Sequence, residues 1–233
     1  MVKQMLFERF NKYLDIIPPI DKKKLIALSK KLLPDTIFNM ASLEGNPFTY
    51  PEVQTLVDGI TVGGHKVSDE QQIYDLRDSW NYLYDLISSD KFELTKDTFD
   101  IINFIVAKNE ALVSGKFRSS QVRIGGTEYL PPKAKELEGI FYKELPEIID
   151  RCESKRELAI ELFLWGALNQ FYYDGNKRTG RLVANGVLLS NGQGILNVKA
   201  KDKLEFNQLM IEFYEIKKAD NICDFLICKC IDD

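Results

Sequence analysis

Two apolar helical stretches, Leu158 to Leu168 and Leu182 to Leu189, flank one polar run, Gln170-Phe171-Tyr172-Tyr173-Asp174-Gly175-Asn176-Lys177-Arg178-Thr179-Gly180-Arg181. The run is therefore expected to be a short loop between two buried helices, ending where the second begins. A helix start presents free N–H groups and the positive end of the helix dipole, and the two together favour an anion. Gly175 lets the backbone approach a ligand, and Asn176 tolerates a tight turn. Lys177, Arg178 and Arg181 place three cations within five residues, and arginine grips phosphate bidentately. Asp174 beside them makes chemical sense as a Mg²⁺ ligand. The run thus suits a magnesium-bound nucleotide polyphosphate. The alternative is a loop whose Asp-Gly turn caps a helix while its basic residues form surface ion pairs.

The run resembles the signature loop of the Fic (filamentation induced by cAMP) family, H-x-F-x-[DE]-G-N-[GK]-R-x-x-R, at Asp174, Gly175, Asn176, Lys177, Arg178 and Arg181. The resemblance implies protein adenylyltransferase chemistry, the transfer of AMP from ATP to a hydroxyl of a target protein. It implies ATP and Mg²⁺ as cofactors and Asp174 as the metal ligand. Gly175, Asn176, Lys177, Arg178, Gly180 and Arg181 are the expected nucleotide-binding residues, with Arg178 also catalytic and Arg181 on the terminal phosphate. Counting back from Asp174, the family aromatic falls on Tyr172 and the catalytic histidine on Gln170. A glutamine amide can hydrogen-bond the attacking hydroxyl but cannot take its proton, and losing a general base typically costs ~10²–10⁴-fold in rate. Weak or absent activity is the expectation. Lys177 stands where Fic sequences usually carry glycine and the phosphate-transferring Doc branch carries lysine. A non-catalytic nucleotide- or protein-binding module is the reading of a different class.

A second segment, Leu43-Glu44-Gly45-Asn46 within Asp35 to Asn46, has apolar residues at helical spacing (Ile37, Phe38, Ala41, Leu43) and Gly45 as its stop. Glu44 falls in the last turn, where the helix dipole disfavours a carboxylate unless a cation compensates. The segment resembles the Fic inhibitory helix, [ST]-x-x-x-E-[GN], with Met40 in place of the usual hydroxyl residue. By that resemblance Glu44 pairs with Arg181 and obstructs the terminal phosphate.

A third segment, Gln121 to Leu130, alternates about Gly125-Gly126 and reads as a β-hairpin. An isolated ribbon is marginal in water, and its edge can accept an extended peptide. Together with Gly115-Lys116-Phe117-Arg118 it resembles the Fic target-docking flap, about 114–132, with Val122, Ile124, Gly125 and Gly126 expected to meet the target protein.

The fold class follows as mainly α, a Fic-type helical bundle with a small β-hairpin flap. Residues 1–33 are expected to form a helical leader, with helices over Val2 to Ile17 and Lys22 to Leu33, the second stopped by Pro34. By the resemblance, residues 34–233 are expected to form the Fic domain. Ser68 to Gln71 reads as a capping-box start. His65, the chain's one histidine, lies in a Gly-rich turn and reads as solvent-exposed polarity. With 45% hydrophobic and 28% charged residues and a net charge of -4, the chain is an ordinary globular one, and nucleic acid is not its expected partner. No apolar run approaches ~18 residues, so no membrane span is expected, and no signal sequence is read at the N-terminus. The cytoplasm is the expected compartment. Cys152, Cys223, Cys228 and Cys230 lack a zinc-type spacing; Cys223 and Cys228 read as the apolar face of a final helix. Oligomeric state stays open, a homo-oligomer included.

Overall fold

The computed structural model describes residues 18–232; the helix expected over Val2 to Ile17 lies outside the described residues. Capping chemistry sets most of the boundaries. Asp21 accepts the Lys24 N–H at 3.0 Å and opens α1 (Lys22–Lys31). Pro34 does not stop a helix but starts one. It lies in the first turn of α2 (Leu33–Leu43), where its missing N–H leaves no bond unmade. The helix carrying Glu44 at its C-cap thus begins ahead of the expected Asp35, and Gly45 ends it at φ 90°. Thr49 and Glu52 form a capping box at α3 (Tyr50–Val57). The box expected at Ser68 does not form: α4 (Val67–Ser88) has Lys66 as its N-cap, with no side-chain capping bond. Thr95 caps α5 (Lys96–Ala107). A 3-10 turn leads into α6 (Leu137–Arg151), which contains Pro146. Ser154 and Glu157 cap α7 (Lys155–Asn169) reciprocally. The chain continues through α8 (Asn176–Ser190), β1 (Ile195–Leu196), α9 (Lys203–Ile216), α10 (Asp220–Cys230) and β2 (Ile231–Asp232).

The helical hairpin α7–α8 is the centre of the molecule. From Glu157 to Ala167 every α7 side chain is buried, and α8 is buried from Arg178 through Leu189. A helix apolar on all sides needs neighbours on all sides. Helices α1, α4 and α5 pack on α8, while α6 and α10 pack on α7. Gly180 sits at the α7–α8 crossing, where an added Cβ would lie 3.1 Å from Phe163 Cδ2. Its missing side chain serves close helix packing, away from the nucleotide-binding place expected for it.

Among the described residues the only ladder is the antiparallel pair β1–β2, with Ile195 opposite Asp232 and Leu196 opposite Ile231. The hairpin expected over Gln121 to Leu130 is therefore corrected: no strand forms there. Its alternation survives without the ladder. Val122, Ile124, Thr127 and Tyr129 are half-buried, and the residues between them are exposed. The segment is held by side chains instead. The Thr127 hydroxyl accepts the Tyr129 N–H at 3.1 Å, and the Tyr129 hydroxyl donates to Leu168 O at 3.2 Å. Packing on the body replaces the cross-strand bonds that a lone ribbon makes only marginally.

Two smaller expectations also change. Cys223 and Cys230 are buried in α10 while Cys228 is exposed, and all four cysteines are free. His65 stacks on Phe48 at 3.9 Å and pairs with Glu52 at 3.0 Å, so it is part-buried structure rather than plain surface polarity.

Candidate functional site: an arginine-rich cleft at the start of α8

Gln170 ends α7 in the left-handed conformation (φ 47°), and Gly175 precedes α8 at φ 73°. Glycine is required at 175 for space as well as for φ, since a Cβ would meet Ala107 Cβ at 3.0 Å. The N–H groups of Asn176, Lys177 and Arg178 precede the first backbone bond of α8, from Thr179 N to Gly175 O. They form the amide-rich helix tip expected from the sequence.

A cleft of about 490 Å³ opens over this tip, within the ~300–1,000 Å³ range of small-molecule sites. The loop gives it Gln170, Tyr173, Asp174, Gly175, Asn176, Lys177 and Arg178. Glu44 closes one end, Arg123, Ile124 and Gly125 border it, and α9 contributes Asn207, Met210, Ile211 and Tyr214. Arg181 and Gly180 do not line it. Val122 and Gly126 stay outside as well, Gly126 at φ 83° beside Ile211.

Each charged residue has a defined partner. Arg181 is buried and donates from Nη2 to Glu44 Oε1 at 2.9 Å, while its Nε and Nη1 are buried with no partner among the described residues. Lys177 Nζ lies 3.8 Å from Glu44 Oε2. Burial pushes the Glu44 carboxyl up. The charges of Lys177, Arg181 and Arg178, with the Arg181 hydrogen bond, outweigh that and hold it below its ordinary value. These are the cations that offset a carboxylate at a helix C-terminus. Arg178 is bound bidentately by Glu110, at 2.8 and 2.7 Å, and lies 3.4 Å from Asp174 Oδ1.

Asn176 acts as a staple. Its amide exchanges bonds with Tyr172 N and O, each at 2.9 Å, and donates to Gln170 Oε1 at 3.0 Å. The Gln170 amide also donates to Ala167 O at 2.6 Å, so both ends of that side chain are engaged. The Tyr173 hydroxyl, held by Ser119 and Ser120, is lowered to about 8 by those hydrogen bonds.

Three supporting residues were not among the site residues expected from the sequence. Glu110 follows α5 and had no distinguishing pattern. Asn103, fully buried on α5, donates to Asp174 O at 2.9 Å and accepts the Gly115 N–H at 2.9 Å. Arg118 was legible only as part of the flap approach. Its guanidinium, 2% exposed, donates to the carbonyls of Gln170, Ser120, Pro132 and Asn169, and its N–H donates to Phe171 O. Polar residues whose partners are distant leave no local periodicity, so spacing could not have exposed the first two.

The chain and its fold have similar counterparts. No protein-family model matches the chain. The protein adenylyltransferase Fic of Nematostella vectensis is 22% identical over 183 residues, 75% of this chain and 42% of that protein. The protein of the same name from Aedes aegypti is 22% identical over 200 residues, 81% of this chain and 39% of that one. The chain thus spans about two fifths of the length of these relatives. A Fic domain containing signaling protein from Bacteroides thetaiotaomicron superimposes with a TM-score of 0.70 at 20% identity, covering 90% of this chain and 80% of that one. Fic-1 (aa134 - 508) from C. elegans gives 0.72 at 14% identity, covering 93% and 64%. The fold is a mainly α Fic fold. In sequence the chain is similar to proteins named protein adenylyltransferase Fic, and in fold to Fic-domain structures.

Proposed function

We propose that the cleft binds Mg·ATP and that the protein is a protein adenylyltransferase held inactive by Glu44, with its transfer step further weakened at Gln170. The observation that carries the reading is the Glu44–Arg181 pair at 2.9 Å, in which Arg181 is buried and its Nε and Nη1 have no partner among the described residues. An unpartnered buried donor costs ~1–3 kcal/mol, and an incoming phosphate oxygen would recover that loss once Glu44 moved aside.

The residues present fit the nucleotide and its metal. The α8 tip and Lys177 offer donors to the phosphates. Asp174 is a hard oxygen donor whose side chain is 53% exposed. Magnesium commonly takes one or two protein carboxylates and completes its shell with phosphate oxygens and water. Among the described residues no group of three or more His, Cys, Asp and Glu converges, so a Mg²⁺ here would rely on the phosphates. Bound there, it would neutralise developing charge on them. In this reading the segment from Arg123 to Gly125 orients an extended stretch of the target protein. Ile124 is half-buried and Gly125 lacks a side chain, so a target backbone could approach closely. Among the described residues no helix is long and apolar enough to cross a membrane. The reading expects the cytoplasm, where ATP is abundant.

A non-catalytic module is the competing reading, favoured by the engagement of both ends of the Gln170 amide. Incubation with ATP labelled at the α or the γ phosphorus separates the two. Label from α is expected on the Gln170→His, Glu44→Gly double variant, and far less on the unaltered chain. Label from γ would mean phosphate transfer and favour the Lys177 resemblance to Doc. ATP-binding heat with no transfer from any form would leave the non-catalytic module. Neither label nor binding heat would remove nucleotide chemistry altogether.

A further inference from the structure

A second cleft, of about 220 Å³, lies behind the first. Helix α6 lines it with Ile140, Glu144 and Glu147, and α7 with Leu164, Trp165 and Leu168. Both sets follow helical spacing and face each other. Tyr129 closes one side and stacks on Tyr214 of the nucleotide cleft, with centroids 6.0 Å apart and an interplanar angle of 6°. The two clefts therefore stand back to back across one tyrosine pair, and Asn169 and Gln170 at the end of α7 face one cleft each.

The chemistry of this cavity differs from that of its neighbour. Its floor is apolar and aromatic, which suits a hydrocarbon or ring. Its rim is acidic on the α6 side. Glu144 Oε2 accepts the Trp165 indole N–H at 2.9 Å, and Glu144 Oε1 makes no hydrogen bond or ion pair among the described residues. Two cations, Arg151 and Lys217, line the cleft as well, and each already has a neighbour. Arg151 pairs with Glu161, which also accepts the Cys152 thiol at 3.1 Å, and Lys217 Nζ stands 5.3 Å from the Tyr129 ring centroid. A carboxylate oxygen at the mouth of an aromatic pocket selects a positive charge, and the indole face adds cation–π attraction. The space equals roughly seven waters at ~30 Å³ each, room for a ring and a short alkyl arm.

We propose that this second cleft binds a small organic cation, an arylalkylammonium, with its ring on the floor by Trp165 and Leu164 and its ammonium on Glu144. Nothing in the proposal depends on nucleotide binding at the first cleft.

The test titrates phenethylamine into the full chain without nucleotide, followed by calorimetry and by tryptophan fluorescence. Of the two tryptophans, Trp80 is fully buried and supplies a constant background, leaving Trp165 as the reporter. Saturable binding with quenching is expected for the amine, with 2-phenylethanol and phenylacetate binding at least several-fold more weakly. Glu144→Gln should weaken the amine by roughly threefold to tenfold, the equivalent of ~0.6–1.4 kcal/mol. Ile140→Phe should fill the cleft and weaken it further. Three outcomes overturn the proposal. They are no saturable binding to the unaltered chain, phenylacetate binding as tightly as the amine, or affinity unchanged in both variants while their circular dichroism matches the parent.

Discussion

The guanidinium of Arg178 lies against the carboxylate of Glu110 in a two-point contact, Nη1 to Oε1 at 2.8 Å and Nη2 to Oε2 at 2.7 Å. Both terminal nitrogens of a residue expected to serve catalysis are thereby committed within the protein. The pair ties the start of α8 to the end of α5. Glu110 is fixed in turn by Gln72 Nε2 at 2.9 Å. Arg178 works first as a positioning residue, holding the start of α8.

Removing that tie has a directional outcome. Glu110→Ala leaves the Arg178 guanidinium buried without its main partner, and stability should fall by ~2–4 kcal/mol. Glu110→Gln keeps one acceptor and should lose less. Urea unfolding of the three forms checks the order, and equal stability of all three would show that the contact does not restrain Arg178.

The acid response of the Glu44–Arg181 pair follows from the direction of the Glu44 shift. Burial opposes ionisation, but the charges of Lys177, Arg181 and Arg178 prevail and hold the group below its ordinary 4.5. A carboxyl held low contributes stability that is present above its unfolded pKa and lost as pH falls through the folded value. The difference in Tm between the parent and Glu44→Gln should therefore stay constant from about pH 8 down to about pH 5 and shrink only below the ordinary value. A difference that has vanished by about pH 6 would contradict the assignment.

Arg118 should prove hard to replace. One guanidinium serves four carbonyls around the α7 terminus, and a cation there also meets the negative end of the helix dipole. Arg118→Ala is expected to cost about 3 kcal/mol or more. Arg118→Lys should recover little, because an ammonium cannot reproduce the planar fork. Chemical denaturation gives the ranking. Hydrogen exchange at Phe171 and Tyr172 reads the local loosening.

Two glycines give opposite results. At Gly192 the backbone has φ 67°, and a Cβ would fall 2.2 Å from Ile20 O, a backbone atom that cannot swing away. Gly192→Ala should destabilise by ~2 kcal/mol or more. Gly139, in α6 with nothing within 4 Å of an added Cβ, should become more stable on substitution by Ala, by ~0.5–1 kcal/mol. Paired thermal melts show both signs in one experiment.

Much of the architecture was written in local pattern. The buried pair around Gln170 to Arg181 and the Glu44 helix with its Gly45 stop were readable, because periodicity and stop signals act within a few residues. The seating of Glu44 against Arg181, 137 residues on, was available only through the family resemblance. Where a residue's neighbours in sequence also fix its environment, the chain carries the answer openly.

The rest depended on encounters between distant segments. Pro34 reads as a stop but opens a helix, since α1 had already ended at Lys31. The alternating residues about Gly125 pair with no strand because the body of the protein takes up Tyr129 and Ile124 instead. Glu110, Asn103 and Arg118 gain their roles from partners more than fifty residues away. A side chain whose free energy comes from one long-range hydrogen bond or ion pair leaves no period in the sequence, and only the folded chain brings it to its partner.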